Sequence, residues 1–328
     1  MMNFTDTYSR YKKMVDEELI RLKFSQQSSS EIYQPLDYIL GIGGKRLRPV
    51  MTLAVCEAFG GNVEEALRPA LGFEVFHNFT LIHDDIMDNA TLRRGQPTVH
   101  HKWNVNMGIL SGDMMLIKAY ELISSAKPDK LSPLLAVFNH IATAVCEGQQ
   151  LDMDYENAES ISKSDYLHMV EYKTGILLGG ALQAGAIMGG AKTEDTERLY
   201  RFGCKIGAAF QIMDDWLDTF GDPNKTGKRI GGDILERKKT FLMVKAYELS
   251  SPKQRNTLNT IYANESDDTE KIHAVMALFD ALHISEVTKT EIQQQYTEAL
   301  EELSSLPISK EALAFFHSFA AYLIQREA

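Results

Sequence analysis

Leu71-Gly72-Phe73-Glu74-Val75-Phe76-His77-Asn78-Phe79-Thr80-Leu81-Ile82-His83-Asp84-Asp85-Ile86-Met87-Asp88 runs from an apolar helical pattern into three carboxylates, and the rest of the chain reads outward from it. A near-copy, Ile206-Gly207-Ala208-Ala209-Phe210-Gln211-Ile212-Met213-Asp214-Asp215-Trp216-Leu217-Asp218, repeats the arrangement. Residues four apart in a helix stand one above the other, so Asp84 with Asp88, and Asp214 with Asp218, each put two carboxylates on one face. Like charges at that spacing cost about 0.2–0.5 kcal/mol, and more as the surroundings dry, unless a cation lies between them. One such cluster is ordinarily a solvated face. Two, each preceded by mostly apolar sequence, suggest a cavity that holds hard divalent ions through oxygen, with Mg2+ the natural candidate.

The chain has 328 residues, 44% of them hydrophobic, which allows a large core in one big domain or two smaller ones. Its formal charge of -11 argues against a general nucleic-acid binder, so any anionic ligand must be met locally. Cys56, Cys146 and Cys204 are odd in number and set in apolar surroundings, which suits buried free thiols in a reducing compartment. Acids and bases run through residues 1–21 with no apolar core segment, so the expectation is a cytoplasmic protein without a secretory leader. Thr174 to Ala191 is uncharged, but its many glycines and Gln183 suit close helix packing inside a protein rather than a membrane span.

Two basic turns accompany the acids. Gly41-Ile42-Gly43-Gly44-Lys45-Arg46-Leu47-Arg48-Pro49 is a glycine turn loaded with three cations. It lacks the glycine spacing of a nucleotide phosphate loop, and no Ser or Thr follows Lys45. What remains is a close backbone approach, with Lys45 and Arg48 as phosphate-binding candidates and a plain basic surface turn as the alternative. Arg93-Arg94-Gly95-Gln96-Pro97-Thr98 is the second turn, read as a loop. Cations so close to carboxylates could simply neutralise them, yet a metal-bridged diphosphate needs both kinds of charge. On an ideal wheel His77 falls within ~20° of Asp84, with Thr80 close by. A lone helical histidine is more often a core residue, but this one shares the carboxylates' face.

The remaining pattern is helical. An amphipathic helix is expected over 5–24, a short one from Tyr33, then 51–59, 64–88 with a kink or restart at Pro69, 108–126, 133–155, 165–191 and 195–220. Residues 221–228 form a loop, and from Phe241 onward the chain is helical, including 291–306 and 310–326. With no strand run, no fixed repeat and no long linker, the expected fold is all-α and a single domain over 1–328.

Taken together, these motifs resemble the trans-type isoprenyl diphosphate synthases, the family that includes farnesyl and geranylgeranyl diphosphate synthases. The likeness covers both aspartate motifs, both basic turns, Lys173-Thr174, Gln211 and the Gly227-Lys228 pair, in order over about 41–241. It implies a single-domain helical bundle around a deep central cavity, a homodimer, and three Mg2+ ions. By the same resemblance Asp84 and Asp88 hold two ions and Asp214 the third, with Asp85, Asp215 and Asp218 in support and Asp152 and Asp233 as outer water ligands. Arg93, Lys173, Thr174, Gln211 and Lys228 grip the allylic diphosphate. Lys45, Arg48, His77 and Arg94 grip isopentenyl diphosphate without metal.

The resemblance also links product length to the side chains just before the first motif, where Phe79 and Thr80 stand. An aromatic beside a small residue implies short products, geranylgeranyl or farnesyl diphosphate. The ideal wheel turns Phe79 ~140° away from Asp84, so flooring the pocket would need a bend in the helix. Competing readings are a class I terpene cyclase, which has no use for a second basic pocket, a metal-dependent phosphohydrolase suggested by His83-Asp84, and a non-catalytic helical partner subunit.

Overall fold

A computed structural model describes residues 4–26, 30–156, 158–222, 230–263 and 267–325. Helices dominate: α1 (Phe4–Leu22), α2 (Tyr33–Gly41), α3 (Leu47–Ala58), α4 (Val63–Met87), α5 (Val99–Lys102), α6 (Val105–Ile123), α7 (Pro128–Glu156), α8 (Lys163–Val170), α9 (Ile176–Gly189) and α10 (Thr193–Phe220). After them come α11 (Gly232–Leu235), α12 (Phe241–Leu249), α13 (Pro252–Ala263), α14 (Asp268–Ala281), α15 (Ile284–Leu303) and α16 (Lys310–Ile324). The fold is all-α, as its sequence periodicity indicates. Two compact units divide the chain: Met1–His140 with Gly180–Tyr200 and Pro307–Phe315, and Ile141–Gly179 with Arg201–Leu306 and Phe316–Ala328.

In the first unit α4 is the buried axis. Its N-cap Asn62 accepts a hydrogen bond from Glu64 N at 3.0 Å, and Glu64 and Glu65 in the first turn suit the positive end of the helix dipole. The helix continues through Pro69 without restarting. From Pro69 to Phe76 every residue is buried, so the helix is enclosed on all sides; the run is apolar except for Glu74, whose charge is met by Arg46. A Cβ on Gly72 would come within 2.7 Å of Ile123, and one on Gly108 within 2.8 Å of Ile86, so α6 lies antiparallel and close along α4. Phe138 seals this core, its ring edge-on to Phe73, Phe76 and Tyr120 at 5.8, 5.2 and 4.8 Å. Each such ring taken out of water contributes about 1.5–3 kcal/mol.

The second unit is built around the C-terminal part of α10. Ala208 and Ile212 pack with Tyr166, Val170, Phe241 and Val244, while Trp216 also meets a cluster formed by Leu242, Ala246, Val275 and Phe279. The Trp216 indole N–H donates to Ser285 Oγ at 2.9 Å, which satisfies its polar end.

Three expectations need correction. Residues 165–191 are not one α-helix, because α8 and α9 are joined by a π-helical turn, Glu171–Gly175. The second basic turn is a small hairpin, β1 (Leu92–Arg93) against β2 (Gln96–Pro97), rather than a plain loop. Arg94 and Gly95 at its tip have φ of 52° and 75°, the pair of positive values that a two-residue type I′ turn demands. Cys56 and Cys204 are buried as expected, but Cys146 is exposed on α7. Among the described residues no helix is long and apolar enough to cross a membrane.

Candidate active site

The first aspartate cluster closes α4. Asp84 and Asp85 lie in the last turn and Asp88 is the C-cap, a position where the helix dipole is already negative and no Lys, Arg or His occupies the turn. Each carboxylate there is unfavourable by about 0.3–1 kcal/mol until a cation arrives. The structure places Arg93 on it. Arg93 Nη2 lies 2.7 Å from Asp85 Oδ1 and 3.4 Å from Asp84 Oδ2, and Arg93 Nε donates to Asp85 Oδ1 at 2.8 Å. Burial lifts the Asp85 carboxyl above its ordinary range, and the Arg93 contact opposes that rise. Arg93, expected on the allylic diphosphate, pairs here with the first motif. Asp85 is 1% exposed, while Asp84 is half-buried and Asp88 open to solvent, so the outer two carboxylates of the motif are the accessible ones.

The basic turn and the hairpin meet in the same unit. Arg94 donates through Nη1 to Gly43 O, and a Cβ on Gly44 would lie 2.7 Å from that nitrogen, so glycine is what lets the guanidinium settle on the turn. Arg48 has its Nε buried with no hydrogen-bond partner among the described residues, and burial lowers its pKa to about 10 while Arg94 adds repulsion. Burial, and then the charges of Arg48, Arg94, Arg93 and Arg46, hold His77 well below the ordinary imidazole range, so it is neutral. Lys45 is exposed beside them. An anion placed here would meet arginine forks and a neutral ring donor, with burial that strengthens each contact.

The second cluster closes α10, again with no basic residue in the last turn. Its members have separate tasks. Asp215 is 5% exposed and fully engaged: Tyr166 Oη donates to Oδ2 at 2.6 Å, Phe241 N donates to the same oxygen at 3.0 Å, and Gln211 Nε2 donates to Oδ1 at 3.1 Å. Burial and then the charge of Asp233 push its carboxyl up to about 7, against those three donors. Asp218 accepts from Asp233 N at 3.0 Å and so caps α11. Asp214 is half-buried beside them.

Lys173 and Thr174 sit on the π-helical turn. A Cβ on Gly148 of α7 would lie 2.5 Å from Lys173 N, and a Cβ on Gly207 of α10 2.7 Å from Gly175 Cα, so two glycines let two helices, α7 and α10, close on this turn. Lys173 Nζ reaches Asp152 Oδ2 at 2.5 Å, and Thr174 Oγ1 donates to Gln211 Oε1 at 3.4 Å. A π turn inside a helix widens the coil and re-aims its side chains, which is why such turns gather at functional sites. Sequence reading found Lys173, Thr174 and Gln211 but missed Tyr166 and Gly148. A tyrosine in an amphipathic helix carries no signal until the carboxylate it meets is known. Lys228 lies outside the described residues.

Phe79 is buried on α4, with its ring 5.4 Å from Phe76 and 4.8 Å from His83. The His83 Nε2 atom is 3.1 Å from Ile109 O, so Phe79 faces α6 while Thr80, whose hydroxyl donates to His77 O at 2.7 Å, stays half-buried.

A polyprenyl synthetase family profile matches residues 29–279. The short chain isoprenyl diphosphate synthase of Methanothermobacter thermautotrophicus is 36% identical over the full length of both chains. The geranylgeranyl pyrophosphate synthase of Geoglobus acetivorans is 34% identical over 96% of this chain and 97% of its own. The crystal structure of geranylgeranyl pyrophosphate synthetase from Pyrococcus horikoshii superposes with a TM-score of 0.91 at 32% identity, covering 99% of each chain. Sequence, length and backbone agree with these prenyl-transferring synthases from end to end, and the chain belongs to the polyprenyl synthetase family.

Proposed function

We propose that the chain is a Mg2+-dependent prenyltransferase that joins isopentenyl diphosphate to an allylic diphosphate, head to tail and trans, giving a short product, geranylgeranyl or farnesyl diphosphate. The observation that carries this reading is the position of both aspartate clusters at helix C-termini. Dipole and carboxylates there add up to negative charge that only cations can offset, and hard oxygen donors fit Mg2+. Asp84 and Asp88 in the first unit and Asp214 in the second are the proposed ligands, and the metal supplies charge neutralisation for the departing diphosphate. Asp85 and Asp215, whose carboxylates are engaged by Arg93 and Tyr166, position their neighbours.

In the second unit, Lys173, Thr174 and Gln211 take the allylic diphosphate. In the first, Lys45, Arg48, Arg94 and neutral His77 take isopentenyl diphosphate without metal, the guanidinium forks matching phosphate oxygens. The allylic C–O bond ionises, the double bond of the second substrate attacks the cation, and a proton leaves to the released diphosphate. No protein group is assigned as the base. The family match over residues 29–279 takes in most of both units, and the short chain isoprenyl diphosphate synthase of Methanothermobacter thermautotrophicus aligns over the full length, which supports one synthase domain over 1–328. We take its working form to be a cytoplasmic homodimer.

Asp84→Ala and Asp214→Ala test the ligand assignment. Each lowers kcat by about 100-fold or more and shifts the Mg2+ titration to higher concentration. Wild-type Mg2+ dependence in both variants contradicts it.

A further inference from the structure

Arg46 is the middle cation of the glycine turn, and its side chain is turned inward. It is 4% exposed, with Nη1 2.8 Å from Oε1 of Glu74, itself 2% exposed. Arg46 Nη2 donates to Leu40 O at 2.5 Å, and Nε donates to Asp16 Oδ1 at 3.2 Å. One guanidinium thereby ties α4, the end of α2 and α1 to the turn. The backbone of Arg46 is left-handed, with φ 50° and ψ 32°, a conformation that a side chain with a Cβ adopts only when its surroundings hold it there. Arg46 is also the N-cap of α3, so its placement sets where the helix begins and where Arg48, in the first turn, projects.

Glu74 stands three residues before His77 and therefore on the same side of α4. Its charge supports Arg48 and Arg94, while those two guanidiniums disfavour one another or Arg46. It also receives Asn78 Nδ2, through its backbone oxygen at 2.8 Å.

We propose that the buried Arg46–Glu74 pair positions the isopentenyl diphosphate pocket: Arg46 braces the strained turn that carries Lys45 and Arg48, and Glu74 offsets the repulsion among Arg46, Arg48 and Arg94. This rests on the assignment of Lys45, Arg48 and His77 to that substrate. Arg46 and Glu74 are positioning residues, acting through the turn. Arginine is required because a lysine ammonium has neither the fork nor the reach to hold three acceptors in fixed directions.

The test is steady-state kinetics of the full chain with Mg2+, reading KM for isopentenyl diphosphate and KM for the allylic substrate separately. Arg46→Lys and Glu74→Gln are expected to raise the first KM about tenfold and leave the second within about twofold. A purely structural role would move both together or neither, and either pattern overturns the proposal. Lys45→Ala and Arg48→Ala are measured alongside. If these leave KM for isopentenyl diphosphate unchanged, the pocket assignment itself fails; if they raise it while Arg46→Lys and Glu74→Gln do not, the positioning role fails. Should both buried variants fail to fold, Asp16→Asn loosens one anchor of Arg46 at a partly exposed position. It is expected to raise the same KM about threefold, and an unchanged value overturns the proposal.

Discussion

Tyr166 Oη donates to Asp215 Oδ2 at 2.6 Å, so the middle carboxylate of the second motif is spent inside the fold. The same oxygen accepts the first backbone N–H of α12, from Phe241. One aspartate therefore locks α8 and α12 onto α10 and, through Gln211, fixes which end of that amide faces Thr174.

Tyr166→Phe should destabilise the protein by about 1–3 kcal/mol, because a buried carboxylate loses a donor while the ring packing stays. Denaturant unfolding of the variant measures it. A change below about 0.5 kcal/mol would mean that Asp215 finds a replacement partner.

Gly148→Ala forces a methyl to 2.5 Å from Lys173 N and 2.7 Å from Tyr172 C, both backbone atoms that cannot step aside alone. A destabilisation of about 1–3 kcal/mol is expected, together with a fall in kcat/KM for the allylic substrate of about tenfold or more as the π turn shifts. Unaltered allylic kinetics would show that Lys173 and Thr174 do not depend on this packing.

His77 is neutral when folded, its pKa depressed by burial and by the arginines around it. The unfolded chain binds a proton at an ordinary pKa of about 6.5, so below that pH the unfolded state carries more protons and stability falls as pH falls, by at most about 1.4 kcal/mol per pH unit. Above about 6.5 the contribution of His77 is constant. His77→Gln should flatten the stability curve between about pH 6.5 and 5, and a slope equal to wild type would place the titration elsewhere.

Phe79→Ala should lengthen the products. The family likeness links product length to the side chains just before the first motif, and Phe79, whose ring packs against Phe76 and His83, is the bulky one there. Product masses from the variant decide, and an unchanged distribution would clear Phe79 of any part in setting length.

How much of this was legible beforehand follows from what each signal depends on. Helix existence depends on local periodicity, and α4 and α10 lie within two residues of their expected ends because their periodic pattern runs unbroken into the acidic clusters. The spacing of Asp84 and Asp88 survives folding for the same reason. The inward Arg46 was not legible, because Lys45, Arg46 and Arg48 are alike as letters and differ only in which of them meets Glu74, 28 residues further on. The π turn at Lys173 was equally hidden, since the close packing around it, of Gly148 on α7 against Lys173 and Gly207 on α10 against Gly175, joins residues far apart in sequence. The hairpin escaped because two residues per strand leave no alternation to read.

The most direct test of the central claim is an incubation of the purified chain with Mg2+, isopentenyl diphosphate and, in turn, dimethylallyl, geranyl and farnesyl diphosphate, with products identified by mass. The account predicts elongated trans-prenyl diphosphates up to farnesyl or geranylgeranyl length, lost on chelation of the metal. Consumption of an allylic diphosphate alone, with a hydrocarbon or alcohol as the product and isopentenyl diphosphate untouched, would contradict it.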